Sequence, residues 1–173
     1  SESLLIDLLD SELLNNPNLN ASVNIKINKI DKFEYLKDFF SKIHLGEGRI
    51  LMKNFNTHWN DSVIIKSNEI EFLNDVDGKK LVGEIIFNFE DIEKFFRYFQ
   101  IKRNYRDVFE TIKLDFVYDF TVDKTTMNNF RIDDKSFQKI DKFLDKYNKS
   151  ENNSFNKFTI RKFVKEFFKI YAG

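Results

Sequence analysis

Side chains able to carry out catalysis or bind a metal are scarce in this sequence. His44 and His58 are its only histidines, and neither lies in a metal-ligand spacing such as HExxH. There is no cysteine, which excludes disulfides, thiolate zinc sites and thiol nucleophiles. No GxSxG, GxxxxGK[ST] or GxGxxG motif is present, so neither a nucleophile elbow nor a phosphate-binding loop is predicted. The sequence therefore predicts a protein that is not an enzyme and that has no catalytic residues, metal site or cofactor. Each histidine is interpreted as an ordinary loop or strand residue.

Asp75 and Asp77 are the carboxylates that come nearest to a calcium-binding pattern. Their spacing does not continue into a full calcium loop, and Lys79 and Lys80 stand where further ligands are needed. Asp77-Gly78 is instead typical of a hairpin turn, because both residues tolerate positive φ. We interpret this stretch as a turn between two strands.

The densest basic patch consists of Lys102, Arg103 and Arg106, with Tyr105 between them. Cationic side chains grouped in this way can bind a phosphate or an anionic lipid headgroup. The plainer interpretation is a solvated connector, which is favoured because the patch directly follows an amphipathic segment at 91–100. The anion site is therefore a secondary hypothesis.

The charge balance excludes one broad class of function. The chain has 28 Lys and Arg residues against 28 Asp and Glu residues, whereas dedicated nucleic-acid-binding domains are usually strongly basic. We therefore expect no nucleic-acid partner. With 173 residues, 42% hydrophobic and 32% charged, the chain is predicted to fold as one domain over 1–173. No membrane-spanning stretch or signal peptide is visible, and because the chain opens with Ser1 we expect an excerpt of a longer protein.

Two hydrophobic periods alternate along the chain and predict its elements. Apolar residues at every second position predict strands at 21–30, 80–89 and 111–120. Short, half-apolar stretches predict strands at 49–55, 62–66 and 69–73, and a polar turn around Asp123-Lys124 predicts a hairpin into a further strand at 126–132. Helical spacing predicts amphipathic helices at 3–14, 31–43, 91–100, 136–147 and 159–171. Asp133-Asp134 is predicted to cap the helix that begins near Ser136. The predicted fold class is α+β: a curved, groove-like, mostly antiparallel β-sheet flanked by amphipathic helices.

The apolar faces of these strands have two interpretations. They form the sealed core of an interaction or structural module, or they line an open groove that holds an acyl chain. An acyl chain needs a continuous lining with few polar groups, and each CH₂ that it buries contributes about 0.8 kcal/mol. Periodicity places the same residues inside in both cases, so both hypotheses stay open. The predicted lipid-binding lining consists of Val23, Ile25, Ile27, Leu81, Ile85, Phe87, Phe116 and Tyr118.

Six stretches carry a resemblance to a known family: ASVNIKINKI (21–30), GRILMKNFNTHWNDSVIIKSNEIEF (48–72), DGKKLVGEIIFNF (77–89), FFRYFQI (95–101), KLDFVYDF (113–120) and RKFVKEFFKIYAG (161–173). From about Asn18 to Gly173 the chain resembles the C-terminal region of AsmA-family proteins, particularly forms from AT-rich marine alphaproteobacteria. These stretches are patterns of apolar alternation rather than chemical signatures. The family offers no catalytic residues to carry over.

The resemblance implies an envelope protein that is anchored in the inner membrane by a helix outside this segment, with its body in the periplasm. It implies a non-enzymatic role in moving phospholipid toward the outer membrane through an apolar β-groove. Phospholipid or another acyl-chain lipid is then the expected partner, together with the membrane and an envelope protein. The alternative is a protein–protein interaction or structural module of the envelope with a sealed core.

Overall fold

Seven antiparallel strands form one open, curved sheet, in which each strand pairs with its neighbours in the sequence. The computed structural model describes residues 18–29, 35–46, 49–75, 78–150 and 157–173. The strands are β1 (Asn20–Lys29), β2 (Leu36–Gly46), β3 (Arg49–Trp59), β4 (Val63–Asp75), β5 (Gly78–Phe89), β6 (Thr111–Asp119) and β7 (Lys124–Ile132). The helices are α1 (Ile92–Phe99), α2 (Gln138–Asn148) and α3 (Lys157–Ala172), with a 3₁₀ turn at Arg103–Tyr105. The predicted α+β class, with a curved antiparallel sheet and flanking helices, is confirmed.

Most predicted elements have a counterpart in the structure. The strands predicted at 21–30, 80–89, 111–120 and 126–132 correspond to β1, β5, β6 and β7, and the last three predicted helices correspond to α1, α2 and α3. β3 extends to Trp59, beyond its predicted end. The two strands predicted at 62–66 and 69–73 are one strand, β4, whose polar middle contains a register shift against β5. The helix predicted at 3–14 lies outside the described residues.

The helix predicted at 31–43 is wrong where the structure describes it, because residues 36–46 form strand β2. Asp38 has a φ of 51° and lies at a register shift against β3 between Lys37 and Phe40. Such a β-bulge inserts one extra residue, so Leu36 and Phe39 lie on the same face of the strand although they are not two positions apart. The apolar spacing that predicts a helix here arises from this bulge.

Register shifts also explain the curvature of the sheet. They occur between β2 and β3, between β4 and β5, and between β6 and β7. A bulged strand bends and twists more strongly than a regular one. Gly83 lies opposite Ile70 next to the shift in β4, where a Cβ atom would come within 3.0 Å of the Glu69 carbonyl oxygen. A side chain at this position would require β4 to move by a few tenths of an ångström away from β5.

Local signals at the element ends agree with the sequence. Asp91 precedes α1, and its side chain accepts a hydrogen bond from the Lys94 backbone N–H at 2.8 Å. Gly78 opens β5 with a φ of 117°, and a Cβ atom there would lie 2.5 Å from the Thr121 hydroxyl oxygen. Asp123, in the turn before β7, has a φ of 48°. Asp91 therefore caps α1, and β6 and β7 form a hairpin. β4 and β5 pair as far as Asp75 and Gly78, although Asp77 lies outside the described residues.

The predicted cap of α2 by Asp133 and Asp134 is wrong. The helix begins after Phe137, which makes no side-chain capping hydrogen bond. Asp133 Oδ1 instead accepts a hydrogen bond from the Thr111 backbone N–H at 2.8 Å, and Asp134 Oδ1 lies 2.6 Å from Lys113 Nζ. The two carboxylates therefore tie the end of β7 to the start of β6.

The helices pack on one face of the sheet, here called the inner face, and build an aromatic core on it. Phe168 of α3 is 1% exposed, and its ring centroid lies 5.1 Å from that of Phe96 and 5.7 Å from that of Phe109. The sheet contributes buried side chains to this core from β6 and β7, namely Ile112, Leu114, Met127, Phe130 and Ile132. The helix-covered core therefore lies at the β5–β7 side of the molecule.

Candidate functional site

The strand register places the inner-face side chains in two rows that cross all seven strands. Residues that lie directly opposite each other in antiparallel neighbours share a face of the sheet. The first row consists of Val23, Ile43, Met52, Ile70, Gly83, Phe116 and Met127. The second row consists of Ala21, Leu45, Ile50, Phe72, Leu81, Tyr118 and Thr125. An apolar band thus spans the sheet, about 29 Å wide at about 4.8 Å per strand pair.

All eight residues of the predicted lining lie on this inner face. β1 contributes its three by alternation, and Leu81 and Phe116 belong to the two rows. None of the eight is among the buried hydrophobic residues of the described chain, and each is half-buried or exposed. The register therefore brings the predicted residues onto one surface, and that surface is not sealed throughout.

Part of the predicted lining lies under the helices. Ile85, Phe87 and Phe116 pack against the helix-covered core, so their apolar surface is largely used within the chain. Leu81 packs instead on a second, smaller cluster around Ile50 and Phe72, which are 0% and 5% exposed. These four residues are therefore involved in holding the sheet together.

The remainder of the inner face forms the candidate site. We call it the open face, and it consists of Val23, Ile25, Ile27, Ile43, Leu45 and Met52 on strands β1 to β3. Val23 is 54% exposed and Ile27 is 39% exposed, and the other four are half-buried. None of the six belongs to the helix-covered core, although Ile43, Leu45 and Met52 pack, like Leu81, on the smaller cluster around Ile50 and Phe72. Apolar side chains of a strongly curved sheet are thus presented to solvent at its β1 side.

Three buried hydroxyl side chains support this curved arrangement. Each lies on the inner face at or next to a register shift. At such a shift, a backbone carbonyl needs a hydrogen-bond donor other than the backbone of the neighbouring strand. Ser41 Oγ donates to Lys53 O at 3.2 Å, Thr57 Oγ1 donates to Lys37 O at 2.9 Å, and Ser67 Oγ donates to Glu69 O at 3.1 Å. These hydroxyls satisfy backbone groups that would otherwise be buried without a partner. Their role is to stabilise the bulges.

The outer face of the sheet carries the two histidines and several ion pairs beside apolar side chains such as Leu51. His44 and His58 lie on β2 and β3 and face away from the helices, in agreement with their interpretation as ordinary strand residues. His58 Nδ1 lies 3.9 Å from a carboxylate oxygen of Asp38. Nearby, the hydrogen bond and positive charge of Lys37, 3.1 Å away, hold the pKa of Asp61 below its usual value. The outer face is therefore a surface of exposed ion pairs.

The basic patch does not form a convergent anion site. Arg106 Nη1 lies 3.2 Å from Glu93 Oε2, and Arg106 Nε donates to the Ile101 carbonyl at 3.0 Å. Lys102 and Arg103 remain exposed. The patch borders the helix-covered core, since Ile101 is a buried member of that core. An anionic headgroup there would not lie beside the open face.

A polar cleft of about 570 Å³ lies at the β7 edge of the sheet, between β7 and the start of α2. It is lined by Asn129, Phe130, Arg131, Asp134, Ser136 and Asp141. Because one of its carboxylates, Asp134, already pairs with Lys113, and five of the six lining residues are polar or charged, this cleft does not suit an acyl chain. The candidate site is therefore the open face.

Sequence reasoning missed half of the open face. Ile43 and Leu45 fall at or beyond the end of a predicted helix, and Met52 lies in a predicted strand that was not assigned to the lining. A short signal was nevertheless present, because Ile43 and Leu45 alternate with the polar residues Lys42 and His44. The bulge at Asp38 conceals that period from a longer window.

Comparisons with known proteins add no relative to this description: no family model, curated protein or solved structure matches the chain. Within the described ranges, no helix is both long and apolar enough to cross a membrane. The same ranges contain no group of three or more His, Asp or Glu side chains arranged to hold a metal ion.

Proposed function

We propose that this chain is a non-enzymatic lipid-handling segment whose open face binds the acyl chain of a phospholipid. The observation that carries the proposal is the position of the apolar band: it continues past the helix-covered core onto β1, where Val23 and Ile27 are exposed. An apolar surface of this kind that is contiguous and accessible is typical of a ligand or interaction site.

The dimensions of the open face support an acyl chain as the ligand. Val23 and Ile27 are four residues apart on β1, which corresponds to about 14 Å along a strand. Half of a bilayer's hydrocarbon core is about 15 Å thick, so one acyl chain has a comparable length. Since each buried CH₂ contributes about 0.8 kcal/mol, even partial burial of such a chain supplies several kcal/mol.

The resemblance to the C-terminal region of AsmA-family proteins supports the same proposal. Under this proposal, the chain belongs to a periplasmic protein that is anchored in the inner membrane by a helix outside this segment. That protein passes phospholipid toward the outer membrane. The alternative is an interaction or structural module of the envelope. It is favoured by the extent of the helix-covered core, where Phe96 and Phe168 are 0% and 1% exposed.

The test is capture of lipid by the purified chain, with a matched pair of variants on one strand. Vesicles of phosphatidylethanolamine that carries a photoactivatable acyl chain are the probe. Val23→Glu places a carboxylate on the open face, and Asn24→Glu makes the same change of charge on the outer face of β1. We expect Val23→Glu to reduce crosslinking about fivefold or more, because an acyl chain would desolvate the carboxylate, and Asn24→Glu to retain it.

Circular dichroism of both variants serves as the control for folding. Because Val23 is 54% exposed, the glutamate stays hydrated and the fold should persist. Ile85 and Phe87 are unsuitable positions for this test, since a carboxylate under the helices would unfold the core. Failure of the wild-type chain to capture lipid, or equal capture by both variants, would overturn the proposal and leave the interaction module.

A further inference from the structure

The two edges of the open sheet differ in how their backbone is protected. β1 and β7 are the edge strands, and each pairs with one neighbour only. The outward N–H and C=O groups of an edge strand are a template for pairing with another chain, so folded proteins usually block them.

The chain itself closes the β7 edge. The Asn148 side-chain amide pairs with Met127 as a strand would: the Met127 N–H donates to Asn148 Oδ1 at 3.0 Å, and Asn148 Nδ2 donates to the Met127 carbonyl at 2.8 Å. Further along β7, Ile132 exchanges two backbone hydrogen bonds with Lys135, both 2.9 Å long. α2 packs beside the same strand. Strand addition at β7 is therefore blocked.

The β1 edge has no such closure within the described part of the chain. β1 is ten residues long, contains no proline, glycine or positive-φ residue, and pairs only with β2. Its side chains alternate between the open face and the outer face. A regular, extended edge with one apolar side suits the addition of a further strand.

Charge on the outer face defines the chemistry of the strand that fits. β1 carries Lys26 there, and β2 adds Lys42 opposite Asn24. Neither of these two lysines forms an ion pair with another described residue. Acidic side chains on the outer face of an added strand would therefore find unpaired cations, whereas a second copy of β1 would bring lysines against lysines.

We propose that the β1 edge binds an extended segment of a partner protein by strand addition, and that this segment alternates apolar and acidic residues. Its apolar side chains extend the open face, and its carboxylates face Lys26 and Lys42. Backbone hydrogen bonds supply affinity and the lysines supply selection against neutral or basic segments. This inference does not depend on lipid binding.

The test uses a short fluorescein-labelled peptide in which valine alternates with glutamate, and fluorescence anisotropy with the whole chain. The comparison peptides replace every glutamate by lysine, or keep the side chains and N-methylate the backbone at alternate positions. We expect the lysine peptide to bind roughly tenfold more weakly, because the cross-strand pair with Lys26 changes from attractive to repulsive. The N-methylated peptide should not bind, since it cannot complete the backbone ladder.

Two variants locate the binding edge. Lys26→Glu should reverse the preference of the chain between the glutamate and lysine peptides, while Lys124→Glu makes the same change of charge on the outer face of β7 and should leave the preference unchanged. Circular dichroism checks that both variants fold. The proposal is overturned if the glutamate peptide does not bind, if N-methylation has no effect, or if Lys124→Glu changes the preference as much as Lys26→Glu.

Discussion

Buried hydroxyl groups donate hydrogen bonds to backbone carbonyls at the register shifts of this sheet. Thr57 is 1% exposed, and its hydroxyl donates to the Lys37 carbonyl beside the register shift between β2 and β3. The same arrangement recurs at Ser41 and Ser67, so each hydroxyl replaces a missing strand hydrogen bond. A β-bulge in a buried position would otherwise leave a carbonyl without a partner.

Thr57→Val tests this role, because valine has the same shape as threonine but cannot donate a hydrogen bond. We expect the free energy of unfolding to fall by about 1–3 kcal/mol, the cost of leaving a buried acceptor unsatisfied. Thr126→Val, on the outer face of β7, is the matched control and should change stability by less than about 0.5 kcal/mol. The measurement is urea unfolding followed by circular dichroism. Equal midpoints for the two variants would show that the bulge does not depend on the Thr57 hydroxyl.

At the scale of elements, α3 holds the helix-covered core together. Phe168 lies against rings from α1 and from the segment before β6, with Phe96 at 5.1 Å and Phe109 at 5.7 Å between ring centroids. Its neighbour Phe167 lies 5.2 Å from Phe130 of β7. The last helix therefore joins parts of the chain that are distant in sequence.

Phe168→Ala and Phe158→Ala make the same substitution at opposite ends of α3. Phe168 is 1% exposed, so we expect a loss of about 3–5 kcal/mol from lost burial and the cavity left behind. Phe158 is 78% exposed, so its loss should be smaller than about 0.5 kcal/mol. Chemical denaturation of both variants makes the comparison. A Phe168→Ala variant as stable as the wild-type chain would contradict the packing of α3 on the sheet.

How far the sequence predicts this architecture depends on the range of the interactions. Alternation at Val23, Ile25 and Ile27 is local, and it predicted both the strand and the face that these residues share. The strand β2 was missed because a single bulge at Asp38 changes the apolar period. The extent of the open face was not predictable, because it depends on where α2 and α3 pack, and contacts such as Phe109 with Phe168 connect residues far apart in sequence.

At the scale of the whole molecule, stability is expected to decrease across the sheet. The β5–β7 side is covered by helices and contains the larger cluster of buried side chains. The β1 side has Val23 and Ile27 exposed and has no described strand beyond it. Regions with few buried apolar contacts open at lower free energy than the core. The β1 side is thus expected to be the least stable part of the sheet.

Hydrogen exchange measured by mass spectrometry tests this gradient by comparing the two edge strands. Both β1 and β7 pair with one neighbour, but β7 is closed by the Asn148 amide and lies under the helix-covered core, to which it contributes Met127, Phe130 and Ile132. We therefore expect peptides from β7 to exchange roughly tenfold or more slowly than peptides from β1 in the chain without added lipid or peptide. β6, which is paired on both sides, provides the reference for full protection. If β7 exchanged as fast as β1, edge position alone would set the exchange rate, and neither α2 nor the Asn148 amide would protect the sheet.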